Sequence, residues 1–406
     1  MPNKRFGVMG RSMTPRAIAT GLIVVAFAFA ACSPAGSPGA STPAGSQPAG
    51  SAPVGGTDPD AALAELATKV LSTGPFGEEP TSPADLTLTP DEIAQVKAMN
   101  ATAAIVMHIQ GDWTKAQVNG LTTRFTELGI KVIASTNGEG KTEKQVADIE
   151  TVLVQKPNIV VSIPWSPGDQ VAAYRKIVDS GAKLVFADNA IPGFVAGKDY
   201  VSTVSADNWG NGVASAHLMA KALRDKYGEI KGNIGMVWFD IDFFVTNQRR
   251  DAFRQTIKDN YPGIKIVEDQ GFPAGPDLAG GAETVASAML TRNPTLDGIW
   301  AVWDQPAEGV IAAARSAGRN DLIVTTQDLS LASALSVKKG EFIYGLGAQR
   351  PYDQGVAEAT LAAYGLLGKK APPYVALFAL AVTKENVLQA WTDVYRTDPP
   401  PELTAP

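Results

Sequence analysis

The chain has 406 residues and a formal net charge of −6, with 45% hydrophobic and 19% charged residues. That length is too great for one compact core and suits two lobes, while the negative balance argues against a nucleic-acid partner, whose phosphates require a positive field. One cysteine, Cys32, excludes an internal disulfide, and two separated histidines, His108 and His217, leave too few donors for a zinc site.

In chain order, Lys4, Arg5, Arg11 and Arg16 form a positive flank ahead of an almost wholly apolar run over residues 17–31. The run is short for a membrane span and has the form of an export signal. It closes on Phe29-Ala30-Ala31-Cys32. Small residues ahead of a lone cysteine resemble the bacterial lipoprotein cleavage box, with Phe29 where an aliphatic residue is usual. The expectation is a signal peptide over 1–31, lipidation of Cys32, and an extracytoplasmic protein held to the membrane by that lipid. Residues 32–57 are rich in Pro, Ala, Gly and Ser, a composition that buries little and serves as a tether. Residues 58–100 read as a helical extension packed on the first lobe. It comprises a short helix over 61–71 and a second one opened by Thr89-Pro90-Asp91-Glu92, a cap, a first-turn proline and a capping-box glutamate.

From residue 103 onward, apolar strands alternate with amphipathic helices. Strands are predicted over 103–109, 131–135, 159–163, 183–187 and 200–204, then over 233–237, 264–269, 298–302, 322–326 and 343–347. Helices fall between them, as over 145–155, where Val146, Ile149, Val152 and Leu153 share a face, and over 356–367. Continuous apolar strands with helical crossovers imply parallel sheets covered on both faces. Two such series predict an α/β chain of two doubly wound lobes, whose ligand sites lie beyond the carboxyl ends of the strands.

Those ends carry an unusual set of residues. Gln110-Gly111-Asp112-Trp113 follows the first strand, Pro164-Trp165-Ser166 the third, and Asp188-Asn189 the fourth. In the second series Asn247 and Arg249, Trp303-Asp304-Gln305, Asp328, and Gln349-Arg350 occupy the same kind of place. Carboxylates, an arginine and amides suit the hydroxyls of a small polyol, and indole planes suit the C–H faces of a sugar ring. The candidate ligand contacts are therefore Asp112, Trp113, Trp165, Asp188, Asn189, Arg249, Trp303, Asp304, Asp328 and Gln349. Arg249 and Arg250 are adjacent, and one of the two reads as a solvated helix residue. Asp207 and Asn208 read as a helix cap, His108 as a core residue, and Trp209, Trp238, Trp300 and Trp391 as packing residues.

From about residue 103 to about 383 this pattern resembles the type I periplasmic sugar-binding proteins, in particular the ribose-binding group. The resemblance rests on Ser205-Ala206-Asp207-Asn208, Asp188, Arg249 four residues before Phe253, Asp328, and Ala348-Gln349-Arg350-Pro351. It implies ligand contacts at Trp113, Asp188, Arg249, Asp328 and Gln349. Asn189, Trp303 and Ile163 stand where ribose binders carry an arginine and two asparagines, which points away from ribose itself. It also implies three interlobe crossings forming a hinge, near 206–208, 348–350 and 374–382. The lobes would then be 101–206 with 350–376, and 207–349 with 377–406. The implied partners are a small sugar and an ABC permease, for a monomeric receptor with no cofactor and no enzymatic activity.

No G-x-G-x-x-G turn, P-loop or nucleophile elbow supports an enzyme reading. Two alternatives keep the fold. One is a cage for a cationic amine or quaternary ammonium, made of aromatics and aspartates. Arg249 opposes it unless an aspartate neutralises that charge. The other is a sensory receptor.

Overall fold

A computed structural model describes residues 57–405. The expected signal peptide, Cys32 and the expected tether up to residue 56 lie outside the described residues. The first sheet holds β1 (Thr102–Met107), β2 (Lys131–Asn137), β3 (Ile159–Ser162), β4 (Lys183–Ala187) and β5 (Thr203–Ala206). The second holds β6 (Gly232–Phe239), β7 (Ile264–Phe272), β8 (Gly298–Ala301), β9 (Ile323–Gln327) and β10 (Ile343–Ala348). Two short strands complete them, β11 (Tyr374–Leu377) and β12 (Leu380–Val382). The orders, β2-β1-β3-β4-β5-β11 and β7-β6-β8-β9-β10-β12, are the same. Every neighbouring pair is parallel except β10 with β12.

Alternation along each strand explains the layering. Ile105, Val161 and Val185 enter one apolar cluster of the first sheet, while Val106, Val160 and Leu184 enter the cluster on its other face. Successive side chains point to opposite faces, so a strand buried on both sides must be apolar throughout. The edge strand β7 instead is buried only at its two ends, Ile264 and Phe272, and is exposed or half-buried between them. The second sheet and its helices share one larger cluster around Met236, Ile299, Trp300 and Val324.

The chain crosses between the sheets three times. It leaves β5 into the helix Asn208–Tyr227, returns from β10 into the helix Pro351–Leu367, and passes from β11 to β12. The two doubly wound sheets are those expected. Residues 374–382 do more than cross, because they add one strand to each sheet. These segments are too short to carry a period of their own, and their strand character comes from pairing with β5 and β10.

The extension differs from expectation in two ways. Its first helix is Pro59–Leu66 and does not run to residue 71. The amides of Leu71 and Ser72, which a longer helix would use, instead donate to the Asp207 carboxylate, both at 2.8 Å. The extension also touches both lobes. Asp58 and Asp60 pair with Arg224 of the second lobe at 3.1 and 2.6 Å. Thr81 bridges Val375 on the edge of the first sheet. The helix Pro90–Ala98, opened by the expected Thr89–Glu92 capping box, lies against the helix Pro351–Leu367, and Tyr364 donates to the Thr87 carbonyl at 2.8 Å.

Among the described residues no helix is long and apolar enough to cross a membrane, and no group of three or more His, Cys, Asp or Glu side chains is placed to hold a metal ion.

Candidate functional site

Both sheets direct their carboxyl ends at a common cavity of about 380 Å³. That falls within the usual range for small-molecule pockets, roughly 300–1,000 Å³. All the candidate contact residues except Asn189 line it.

On the first-lobe side, β1 stops at Met107, two residues before the predicted end. The chain then runs through extended Gly111 into the helix Asp112–Glu127, whose first turn presents Asp112 and Trp113. The loop after β3 carries Trp165. Buried Gln145 holds this loop by donating to the Ile163 carbonyl at 2.7 Å and accepting from the Trp165 amide at 2.9 Å. Asp188 follows β4 in the left-handed region, φ 57°, a conformation that aspartate tolerates better than most residues. Its Oδ1 accepts from Ser205 Oγ at 2.7 Å and from Gln354 Nε2 at 3.1 Å. The turn then folds back, with the Asn189 amide donating to the Ala187 carbonyl at 2.7 Å. Beyond it Asn189 is buried behind the wall, where Nδ2 donates to the Pro164 carbonyl at 3.3 Å. The strand-end rule selects a turn but does not say which of two consecutive side chains faces inward.

The second lobe repeats the plan. Asp328 follows β9, also in the left-handed region at φ 65°. Trp303 and Asp304 start the helix Asp304–Ser316 after β8, and Gln349 follows β10. Arg249, on the helix Phe244–Asn260, is 2% exposed and donates to both oxygens of Asp328, at 3.1 and 3.3 Å. It also donates to the Val302 carbonyl at 3.3 Å and to Asn208 Oδ1 at 3.2 Å. Gln349 Nε2 reaches Asp328 Oδ1 at 2.7 Å. Asn208 in turn donates to Ser205 Oγ at 2.9 Å. One hydrogen-bonded chain thus runs from Asp188 through Ser205, Asn208 and Arg249 to Asp328 and Gln349, passing through the first crossing. Gly212 lets the two helices approach: a Cβ there would lie 2.4 Å from the Arg249 carbonyl oxygen.

Aromatic rings form much of the wall. His108 packs 5.8 Å from Trp165 and 6.5 Å from Trp113, centroid to centroid. Trp165 reaches across to Phe239 and Phe243 of the second lobe at 6.1 and 5.9 Å, so the lobes touch there through an apolar contact. Trp303 stands edge-on to Phe239 at 5.3 Å. His108, Phe239, Phe243 and Glu308 line the cavity but were not among the expected contacts. His108 is buried, as a core histidine would be, yet its place at the end of β1 also turns it to the cavity. Phe239 ends the sixth strand and Phe243 follows it, so the strand-end rule applied to that strand would have found them. Arg250 stacks on Trp238 at 4.8 Å, away from the cavity, and Asn247 donates to Asp242. Trp209, Trp238, Trp300 and Trp391 are also absent from the lining. Asp207 caps the helix Asn208–Tyr227.

Burial pushes the Asp188 carboxyl up to about 6 and the His108 imidazole down to about 3, because low-dielectric surroundings disfavour the charged form of each. Burial, with Asp328 nearby, pushes Asp304 up to about 7. The site therefore offers acceptors on both sides, a guanidinium and an amide as donors, and flat apolar planes between them. It is suited to holding a small polar ring.

Two doubly wound lobes with a lined cleft at their facing strand ends define a two-lobed solute-binding protein. Residues 103–370 match the family model described as periplasmic binding protein domain, and the chain belongs to that family, which is one of binding proteins and not of enzymes. A stretch of 185 residues, 45% of this chain, is 30% identical to the D-ribose/D-allose-binding protein of Pseudomonas aeruginosa; it spans 54%, about half, of that relative. A stretch of 242 residues, 59% of this chain and 73% of the relative, is 26% identical to the D-apiose import binding protein of Actinobacillus succinogenes. The fold matches the crystal structure of a carbohydrate transporter solute-binding protein from Agrobacterium radiobacter in complex with D-arabinose. The TM-score is 0.65 at 23% identity, over 73% of this chain and 99% of that one.

Proposed function

We propose that this protein is the extracytoplasmic receptor of an ABC-type importer, holding one small sugar or polyol between its lobes and presenting it to a membrane permease. The observation that carries the reading is the convergence of aromatic planes with the Asp188–Arg249–Asp328–Gln349 network in a single interlobe cavity. Carboxylates accept from ring hydroxyls, Arg249 and Gln349 donate to them, and Trp113 and Trp303 cover the C–H faces. Asp112, Trp165 and Asp304 complete the contacts, with Asn189 acting from behind the wall. The neutral sugars named for the relatives support the same class of ligand. Closure about the three crossings is the signal that a permease can read. The export signal and Cys32 support a lipid anchor on the outer side of the cell membrane, with residues 33–57 as its tether. The test is mass spectrometry of the molecule that co-purifies with the native protein, followed by calorimetry with that molecule. Trp113→Ala is expected to lower its affinity at least about tenfold, by removing an aromatic face, with folding retained. Unchanged affinity would remove the site from this cavity.

A further inference from the structure

We infer that the ligand carries a protonated amine on its polyol ring, as an amino sugar or an aminocyclitol does. The inference rests on the sugar-site reading above and narrows it. It starts from the charge of the lining: Asp112, Asp188, Asp304, Glu308 and Asp328 face a single cationic side chain, Arg249. That cation is already used, since its guanidinium holds both oxygens of Asp328. Lys115 approaches Asp112 at 3.7 Å. Asp188 takes its hydrogen bonds from a serine and an amide, and Asp304 takes one from the Gln305 amide, so neither has a cationic partner. His108 cannot supply one, because burial keeps its ring neutral. Asn189, where the resemblance would place an arginine, is neutral and turned away.

Asp304 is the residue that matters most. It opens a helix, where the end of the backbone dipole favours an acid. That local benefit does not balance its surroundings, since Asp304 shares the cavity with Glu308 and Asp328 and takes no hydrogen bond from a cation, and burial with Asp328 nearby raises its carboxyl. A cation delivered by the ligand would balance them. It would sit among Trp113, Trp303 and Phe243, whose ring faces also favour positive charge. A metal ion fits less well, because no three acidic or histidine side chains among the described residues converge to hold one.

The experiment is calorimetry on the full-length protein with matched pairs: D-glucosamine against D-glucose, 2-amino-2-deoxy-D-ribose against D-ribose, and an amino-deoxy-inositol against myo-inositol. In at least one pair the amine is expected to bind about tenfold or more tighter, the effect of one charge-assisted hydrogen bond. Asp304→Asn is expected to cut that ratio about tenfold, with thermal melting run in parallel to establish that the variant is folded. Neutral members that bind as tightly as their amines overturn the inference and leave the sugar-site reading standing. A preference for the amine that survives in folded Asp304→Asn overturns the role of that residue. No binding by any member overturns the inference, while the sugar-site reading is judged by the co-purifying molecule.

Discussion

Replacing Asp188 by Asn separates binding from stability. Both hydrogen bonds to its carboxylate, from Ser205 and Gln354, land on Oδ1. An asparagine with its carbonyl oxygen in that place keeps both and loses only the charge. In the folded chain the carboxyl stands at about 6, against 3.8 for an ordinary aspartate. Between those values the native state binds more protons than the unfolded one, so this group makes stability fall as pH rises from about 4 to about 6. The interval corresponds to roughly 3 kcal/mol, taking about 1.4 kcal/mol per pH unit. Asp188→Asn is therefore expected to stabilise the ligand-free protein at pH 7.5 by up to that amount, with the gain gone by pH 4. The assay is urea unfolding at both pH values, comparing midpoints at constant slope. The same variant is expected to bind the co-purifying ligand about 10–100-fold more weakly, because an N–H replaces a carboxylate oxygen. A destabilised variant at pH 7.5, or a pH-independent difference, would refute the claim that Asp188 is held charged against its surroundings.

Other outcomes follow from the same geometry. Trp165→Ala removes the aromatic bridge to Phe239 and Phe243, and the ligand-free protein is expected to scatter X-rays with a larger radius of gyration than the wild type. Asp207→Ala strips the acceptor from the Leu71 and Ser72 amides. The expected cost is roughly 1–3 kcal/mol for the amide of buried Ser72 and less for that of half-buried Leu71, read by urea unfolding and by faster hydrogen exchange at those two amides.

Much of this architecture is written in local pattern. The apolar runs at 159–162 and 183–187 carry no polar face, so they can only be strands covered on both sides. Asp188 and Asp328 sit at the ends of equivalent strands because a short acidic side chain tolerates the left-handed turn needed there, so the residue type signals the place in both lobes. Period and turn chemistry act over a few residues and can be read there.

What required the folded molecule is everything that depends on distant segments meeting. Asn189 follows Asp188 directly yet faces the other way, since a turn rotates neighbouring side chains apart. Phe239 and Phe243 belong to the site because Trp165 crosses to meet them from the other lobe. The extension serves both lobes because Asp207, far along the chain, draws Leu71 and Ser72 out of a helix. β11 and β12 exist only through partners already in place. Residue type and spacing determine what a segment can do locally; side-chain direction and long-range pairing are decided by the packing of lobes that the local pattern cannot see.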